Sequence, residues 1–290
     1  MQLLIFFNKK ISFSLIKICV SLLIFEIKYF LDYQIKQTLF FYISKVKLVK
    51  HIGAYFIMIR LVFIKPTKRS IMYRLVLKEV QDLILGSLGI VCFLSFFVGG
   101  VVSIQTALNI DSAFIPENLV GFATRQSIIL EFAPTFMAII LAGKVGSYIT
   151  SSIGTMRVTE QIDALEVMGI NSVNFLVFPK LLAMTLLPIV IIFSMFLGIF
   201  GGWAATIYGG FSSSASFIEG IQMDFNSFHV VYAFVKTFLF AIILATIPSY
   251  HGYYMKGGAL DVGRASTVSF VWCSVVIIVV NYFITQLFFS

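Results

Sequence analysis

Glu131 interrupts the otherwise apolar run SIILEFAPTFMAIILA at residues 127–142, near the middle of a stretch long enough to cross a bilayer. An ionisable side chain at that depth faces a cavity or a partner, because placing it in hydrocarbon costs about 2.5–3.5 kcal/mol or more. Lys236, in VVYAFVKTFLFAII at 230–243, is the expected counter-charge. The two helices run in the same direction, and a Lys stem can bridge a depth difference of roughly 6 Å at 1.5 Å rise per residue. Pro134 lacks an N–H and is expected to kink the helix beside Glu131. Such a pair could hold a polar ligand or carry a proton; it would equally serve to stitch two helices together. Arg125 lies nearer the outer boundary, where it can snorkel to water.

A second polar cluster lies in GTMRVTEQIDALEVMG at 154–169, where Arg157, Glu160, Gln161, Asp163 and Glu166 fall between two apolar segments. Thr155 is a reasonable N-cap and Gly169 a reasonable stop, which predicts a short helix between them. Val158, Ile162, Leu165 and Gly169 share one edge, and Glu160, Asp163 and Glu166 another. A two-faced helix too short to span would lie on the membrane surface, as a docking face or as a solvated connector.

Other chemistries lack their motifs. AGKVGS at 142–147 follows Lys144 with Val145, whereas a Walker A loop needs Ser or Thr there. HExxH and GxSxG are missing, His51, His229 and His251 stand apart, and Cys19, Cys92 and Cys273 form no CxxC pair. Neither covalent catalysis nor a metal or other cofactor is expected.

The elements that hold these residues follow from composition. The 290 residues are 59% hydrophobic and 12% charged, with a mean hydropathy of +0.99, far too apolar for a soluble domain. Apolar segments near 84–106, 119–143, 176–206, 228–255 and 266–289 each suffice to span the hydrocarbon core. Connections 107–118 and 207–227 contain acids but no Lys or Arg, whereas 144–175 and 256–265 carry Lys144, Arg157, Lys256 and Arg264. By the positive-inside rule the latter face the side of synthesis, with the N-terminus, and the C-terminus emerges opposite.

Residues 1–80 carry 14 Lys and Arg against 3 acids, and 81–290 carry 7 against 10. Nucleic acid is not the expected partner of this basic region, since its Lys residues alternate with Ile, Leu and Phe in a manner suited to an anionic membrane surface. Lys10, Ser14, Lys17, Ser21, Lys28 and Asp32 make one polar stripe at helical spacing, which predicts an interfacial helix; a sixth span is the alternative. The expected fold is an all-α integral membrane protein. It has about five transmembrane helices, N-terminal interfacial helices in a basic extension over 1–52, and a short amphipathic surface helix within a domain over 53–290.

EFAPTFMAIILAGKVGSYITSSIGTMRVTEQIDALEVMGINSVNFLVFPKLLA, residues 131–183, resembles the signature region of MlaE-type permeases, the membrane subunits of phospholipid-moving ABC transporters that include the TGD permease of chloroplast envelopes. Gly99, Gly100 and Gln105 match the family's first span, Lys236 and Phe240 its fourth, and GRAST at 263–267 the loop before its last. The resemblance runs over residues 53–290. It implies a homodimeric permease with a lipid cavity, an ABC ATPase subunit docked below each copy, and a partner carrying an MCE domain on the far side. It further implies that 154–169 is the coupling helix, through Arg157, Glu160, Gln161, Asp163 and Glu166, and that Glu131 and Gln105 line the cavity, with Lys236 and Pro134 beside them. Many members carry Arg directly before this Glu, where Leu130 stands here. The AT-rich residue usage is similar to that of plastid-encoded members, so a plastid inner envelope is the expected membrane and a bacterial inner membrane the alternative. The rival function is an ion-coupled secondary transporter with Glu131 as proton carrier.

Overall fold

The computed structural model describes residues 49–64, 68–110 and 116–289, and among them all regular structure is helical. The chain divides into two units, residues 1–57 and 58–290. Of the first, residues 49–57 are described and are helical. The interfacial helix expected over Lys10 to Asp32 lies outside the described residues.

Among the described residues, five helices of the second unit are long and apolar enough to cross a membrane: Arg69–Ile110, Asn118–Val158, Ser172–Tyr208, Ser227–Tyr253 and Ala259–Phe288. They match the five expected segments, but the first runs well beyond its own, and so does the second. Its 41 residues correspond to roughly 60 Å, twice the hydrocarbon thickness of about 30 Å. Lys144, counted above within a connection, therefore lies inside this helix. Ile149 and Ile153, both fully buried, hold its continuation beyond Lys144 against the bundle.

Pro134 does not break the second helix. The helix widens into a π-helical stretch at Ile128–Phe136 that contains Glu131 and Pro134, and again at Ala142–Gly146. A shifted backbone ladder accommodates the missing N–H. The first helix has a similar stretch at Val80–Leu85, next to which the Lys144 ammonium donates to the Gly86 carbonyl.

The first and third helices pack backbone to backbone. A Cβ placed on Gly99 would lie 1.9 Å from the Gly198 carbonyl oxygen, and one on Gly201 would lie 2.1 Å from that of Phe96. Small residues permit this approach in a membrane, where apolar surface alone does not favour helix association. Ser95 and Ser194 hydrogen-bond across the same seam at 2.7 Å.

A short helix at Ser214–Gln222 forms between the third and fourth long helices, capped by the Ser213 side chain accepting from the Ser216 N–H. Gly121 and Gly220 bring it against the start of the second helix, and Phe217 is fully buried between them. Arg125 does not snorkel outward. Only 2% exposed, it donates to the Ile221, Met223 and Asp224 carbonyls at 2.6, 2.9 and 3.2 Å, and its guanidinium lies 5.1 Å from the Phe122 ring centroid. A cation here satisfies the open carbonyls at a helix C-terminus and complements its dipole. Arg125→Met is expected to cost about 3 kcal/mol, read as a lower unfolding temperature in detergent together with new proteolysis within 209–226.

Candidate functional site

The spacing of Glu131 and Lys236 brings them together. Lys236 Nζ donates to Glu131 Oε1 at 2.8 Å and to the Leu130 carbonyl at 3.0 Å, and it lies 4.8 Å from the Tyr232 ring centroid. The Lys236 side chain is 0% exposed and that of Glu131 is 44% exposed. The cation is thus sealed inside the bundle while its carboxylate reaches the bundle surface.

A third helix completes the environment. Asn281 Nδ2 donates to Glu131 Oε2 at 3.1 Å, and Thr135 Oγ1 sits 3.1 Å from the same oxygen and 3.0 Å from Asn281 Oδ1. Thr135 has one proton for these two acceptors, so it donates to one at a time. Thr285 Oγ1 bonds the Asn281 carbonyl at 2.9 Å and the Tyr232 hydroxyl at 2.7 Å, joining the fifth helix to the fourth. Asn281, Thr135 and Thr285 escape sequence reading because uncharged polar residues are common in membrane helices; their one signal is alignment of 281 and 285 a turn apart. Of the other expected cavity residues, Pro134 is buried next to Glu131, while Gln105 stands exposed on the first helix with no hydrogen bond to the pair.

A second ion pair joins the first and third long helices. Lys180, buried on the Ser172–Met184 segment, donates to Glu79 Oε1 at the end of Arg69–Glu79. Sequence reading passes over both, since Glu79 closes a run of exposed basic residues and Lys180 sits close to a connection.

The surface helix is shorter than expected. The second helix runs through Thr155 to Val158, so Thr155 is no N-cap; the turn comes at Thr159–Glu160, and the surface helix is Gln161–Val167. Glu160 takes a left-handed φ of 59° at the break. The far end agrees with expectation: Gly169 has φ 74°, its N–H donates to the Glu166 carbonyl at 2.9 Å, and the Ile170 N–H donates to Leu165 at 3.1 Å. These two bonds with a left-handed Gly make a Schellman stop.

Ile162 alone of this helix is fully buried. The polar residues divide. Arg157 Nη1 and Asp163 Oδ1 pair at 2.8 Å with side chains 37% and 55% exposed. Glu166, also exposed, instead accepts at Oε1 from Ser172 Oγ and Tyr253 OH, each at 2.9 Å. Glu160 and Gln161 are exposed, and Val167, at 89% exposed, and Met168 form an apolar tip. Just beyond the fourth helix, burial pushes the Tyr254 phenol above its usual pKa. Asn171 donates to the Leu61 and Ile64 carbonyls, and Asn174 to that of Val62, closing the end of the helical stretch 58–62.

A family model described as Permease MlaE matches residues 76–287. The chain is 31% identical over 246 residues to a probable ABC transporter permease protein of Rickettsia bellii, covering 84% of this chain and 95% of that one. It is 33% identical over 213 residues to a probable ABC transporter permease protein of Pyropia yezoensis, covering 71% and 76%. It is 26% identical over 220 residues to the intermembrane phospholipid transport system permease protein MlaE of Haemophilus influenzae, covering 75% and 84%. With five spans around a partly exposed carboxylate, and with this match along most of its length, the chain belongs to the MlaE permease family and is the membrane permease subunit of an ABC transporter, whose ATPase activity lies in a separate subunit.

Proposed function

We propose that the permease moves a phospholipid-type polar lipid, and that Glu131 is where the head group engages. The observation that carries this reading is the 44% exposed carboxylate held by a fully buried Lys236 within otherwise apolar helices. Acyl chains fit apolar walls, and a carboxylate whose position is fixed by Lys236, Asn281 and Thr135 offers a polar contact to a head group's donors. The Haemophilus influenzae relative is by its description a phospholipid transport permease, which supports the same substrate class. Two copies of the chain, an ABC ATPase subunit under each and an MCE-domain protein on the outer side make up the proposed assembly. The ion-coupled alternative suits the site less well, because Lys236, Asn281 and Thr135 already fix the Glu131 carboxylate in place.

The proposed ATPase contact is the surface helix with its exposed Glu160, Gln161, Val167 and Met168, backed by Arg157, Asp163 and Glu166. Affinity purification of the full chain is expected to recover a soluble ATPase and co-purified phospholipid. Val167→Asp with Met168→Asp is expected to lower ATPase recovery at least about tenfold while leaving the unfolding temperature unchanged. Full recovery by this variant would remove the surface helix from the contact. For the membrane, we propose the plastid inner envelope, supported by the AT-rich composition and the Pyropia yezoensis relative. The Rickettsia relatives favour a bacterial inner membrane instead, and fractionation of the source cells decides between them.

A further inference from the structure

We infer that Tyr253, acting through Glu166 and Ser172, is the joint that delivers movement of the surface helix to the fourth long helix and so to Lys236. This rests on the reading of Gln161–Val167 as the ATPase contact. The surface helix has seven residues and a single fully buried side chain, so its hold on the membrane helices comes down to a few bonds. One is the Arg157–Asp163 pair, open to water and therefore screened and compliant. The other is of a different kind.

Glu166 Oε1, Ser172 Oγ and Tyr253 OH form a triangle with all three sides at 2.9 Å. Two hydroxyl protons serve these three contacts, either both donated to the carboxylate or passed along from one hydroxyl to the other. In each arrangement a charge-assisted bond ends on Glu166. Ser172 is buried and Tyr253 partly buried, so the exposed Glu166 carboxylate is held by two hydroxyls fixed in the bundle, whereas the Arg157–Asp163 pair joins two solvent-exposed side chains. It unites three elements: the surface helix, the first turn of the third long helix, and the last turn of the fourth.

The fourth helix is continuous from Ser227 to Tyr253, placing Lys236 about 25 Å up the same rod. Its lower end is fixed sideways by Gly252, where a Cβ would come within 2.8 Å of the Thr150 carbonyl oxygen on the second helix. Glu131 stands on that second helix, which reaches the surface helix by chain continuity through Thr159 and Glu160. The two members of the ion pair are thus connected to the surface helix by separate routes, one covalent and one through Tyr253. A tilt of the surface helix about Ile162 pulls the two routes unequally and shears Glu131 against Lys236.

The test uses Tyr253→Phe in the full chain, purified with its ATPase and reconstituted in vesicles of phosphatidylethanolamine and phosphatidylglycerol carrying a labelled phospholipid. Phe keeps the ring packing and removes only the hydroxyl. The expected result is unchanged ATPase recovery and ATP hydrolysis, with lipid moved per ATP reduced at least about fivefold. Combining it with Glu166→Leu should reduce the ratio no further than Glu166→Leu alone, since both sever one joint. An unchanged lipid-to-ATP ratio overturns the joint, as does a parallel fall in recovery, hydrolysis and transfer, which marks a merely structural tyrosine. If the unsubstituted chain recovers no ATPase, the underlying reading falls and the joint falls with it.

Discussion

Lys236→Met is expected to abolish lipid movement while leaving a chain that still inserts and folds. Met fills nearly the same space, so the fully buried site keeps its packing. What disappears is the ammonium that bonds Glu131 Oε1 and the Leu130 carbonyl. Removing one member of a buried pair typically costs 3–5 kcal/mol because the other charge is left uncompensated. Here the loss should stay near the low end, about 3 kcal/mol, since Glu131 is half-exposed and keeps its bonds from Asn281 and Thr135. The carboxylate is then free to turn, and the contact proposed for the head group is lost. Lys236→Met with Glu131→Gln separates stability from function: the double variant is expected to recover most of the unfolding temperature in detergent and none of the transfer. Wild-type transfer by Lys236→Met, alongside a dead Glu131→Gln, would show that Glu131 works without its lysine.

That pair is legible from sequence because bilayer physics leaves few choices. A carboxylate at mid-depth demands a partner, and among the spans only one lysine lies at a compatible depth on a helix running the same way. The five spans are legible for a similar reason, being set by the length of apolar runs. Arg125 shows where such reasoning stops. Its partners are backbone carbonyls at and just past the end of a nine-residue helix, and no side-chain pattern announces them. The start of the surface helix is misplaced because Gly154 and Thr155 resemble a helix boundary. In the folded chain, however, Gly154 is simply where the Met255 side chain packs, and a Cβ there would meet its sulphur at 2.8 Å. Glu166 shares a helical edge with Glu160 and Asp163, yet tertiary hydrogen bonds tie it to Ser172 and Tyr253. Periodicity assigns a face; it does not say which residues on that face are already taken.

The glycines of the first and third helices support the largest expected effect on stability. In Gly99→Ala the new methyl would lie 1.9 Å from the Gly198 carbonyl oxygen, 2.5 Å from its carbon and 2.7 Å from its Cα. All three are backbone atoms, so no side chain can swing aside, and the helices must separate by an ångström or more. Separation would also stretch the Ser95–Ser194 bond and open the seam at Gly201, where Phe96 backbone presses just as closely. Overpacking generally costs 1–3 kcal/mol, and with no side chain able to yield the expected loss is at least about 3 kcal/mol. It should appear as a large fall in folded yield and in unfolding temperature. Gly89→Ala, on the same helix, is the control, because nothing lies within 4 Å of its Cβ position and the residue sits in regular helix. There the change is expected to be neutral or slightly stabilising, by up to about 1 kcal/mol, as alanine favours the helix. If both variants behaved alike, close approach at Gly99 would not be what holds the first helix to the third.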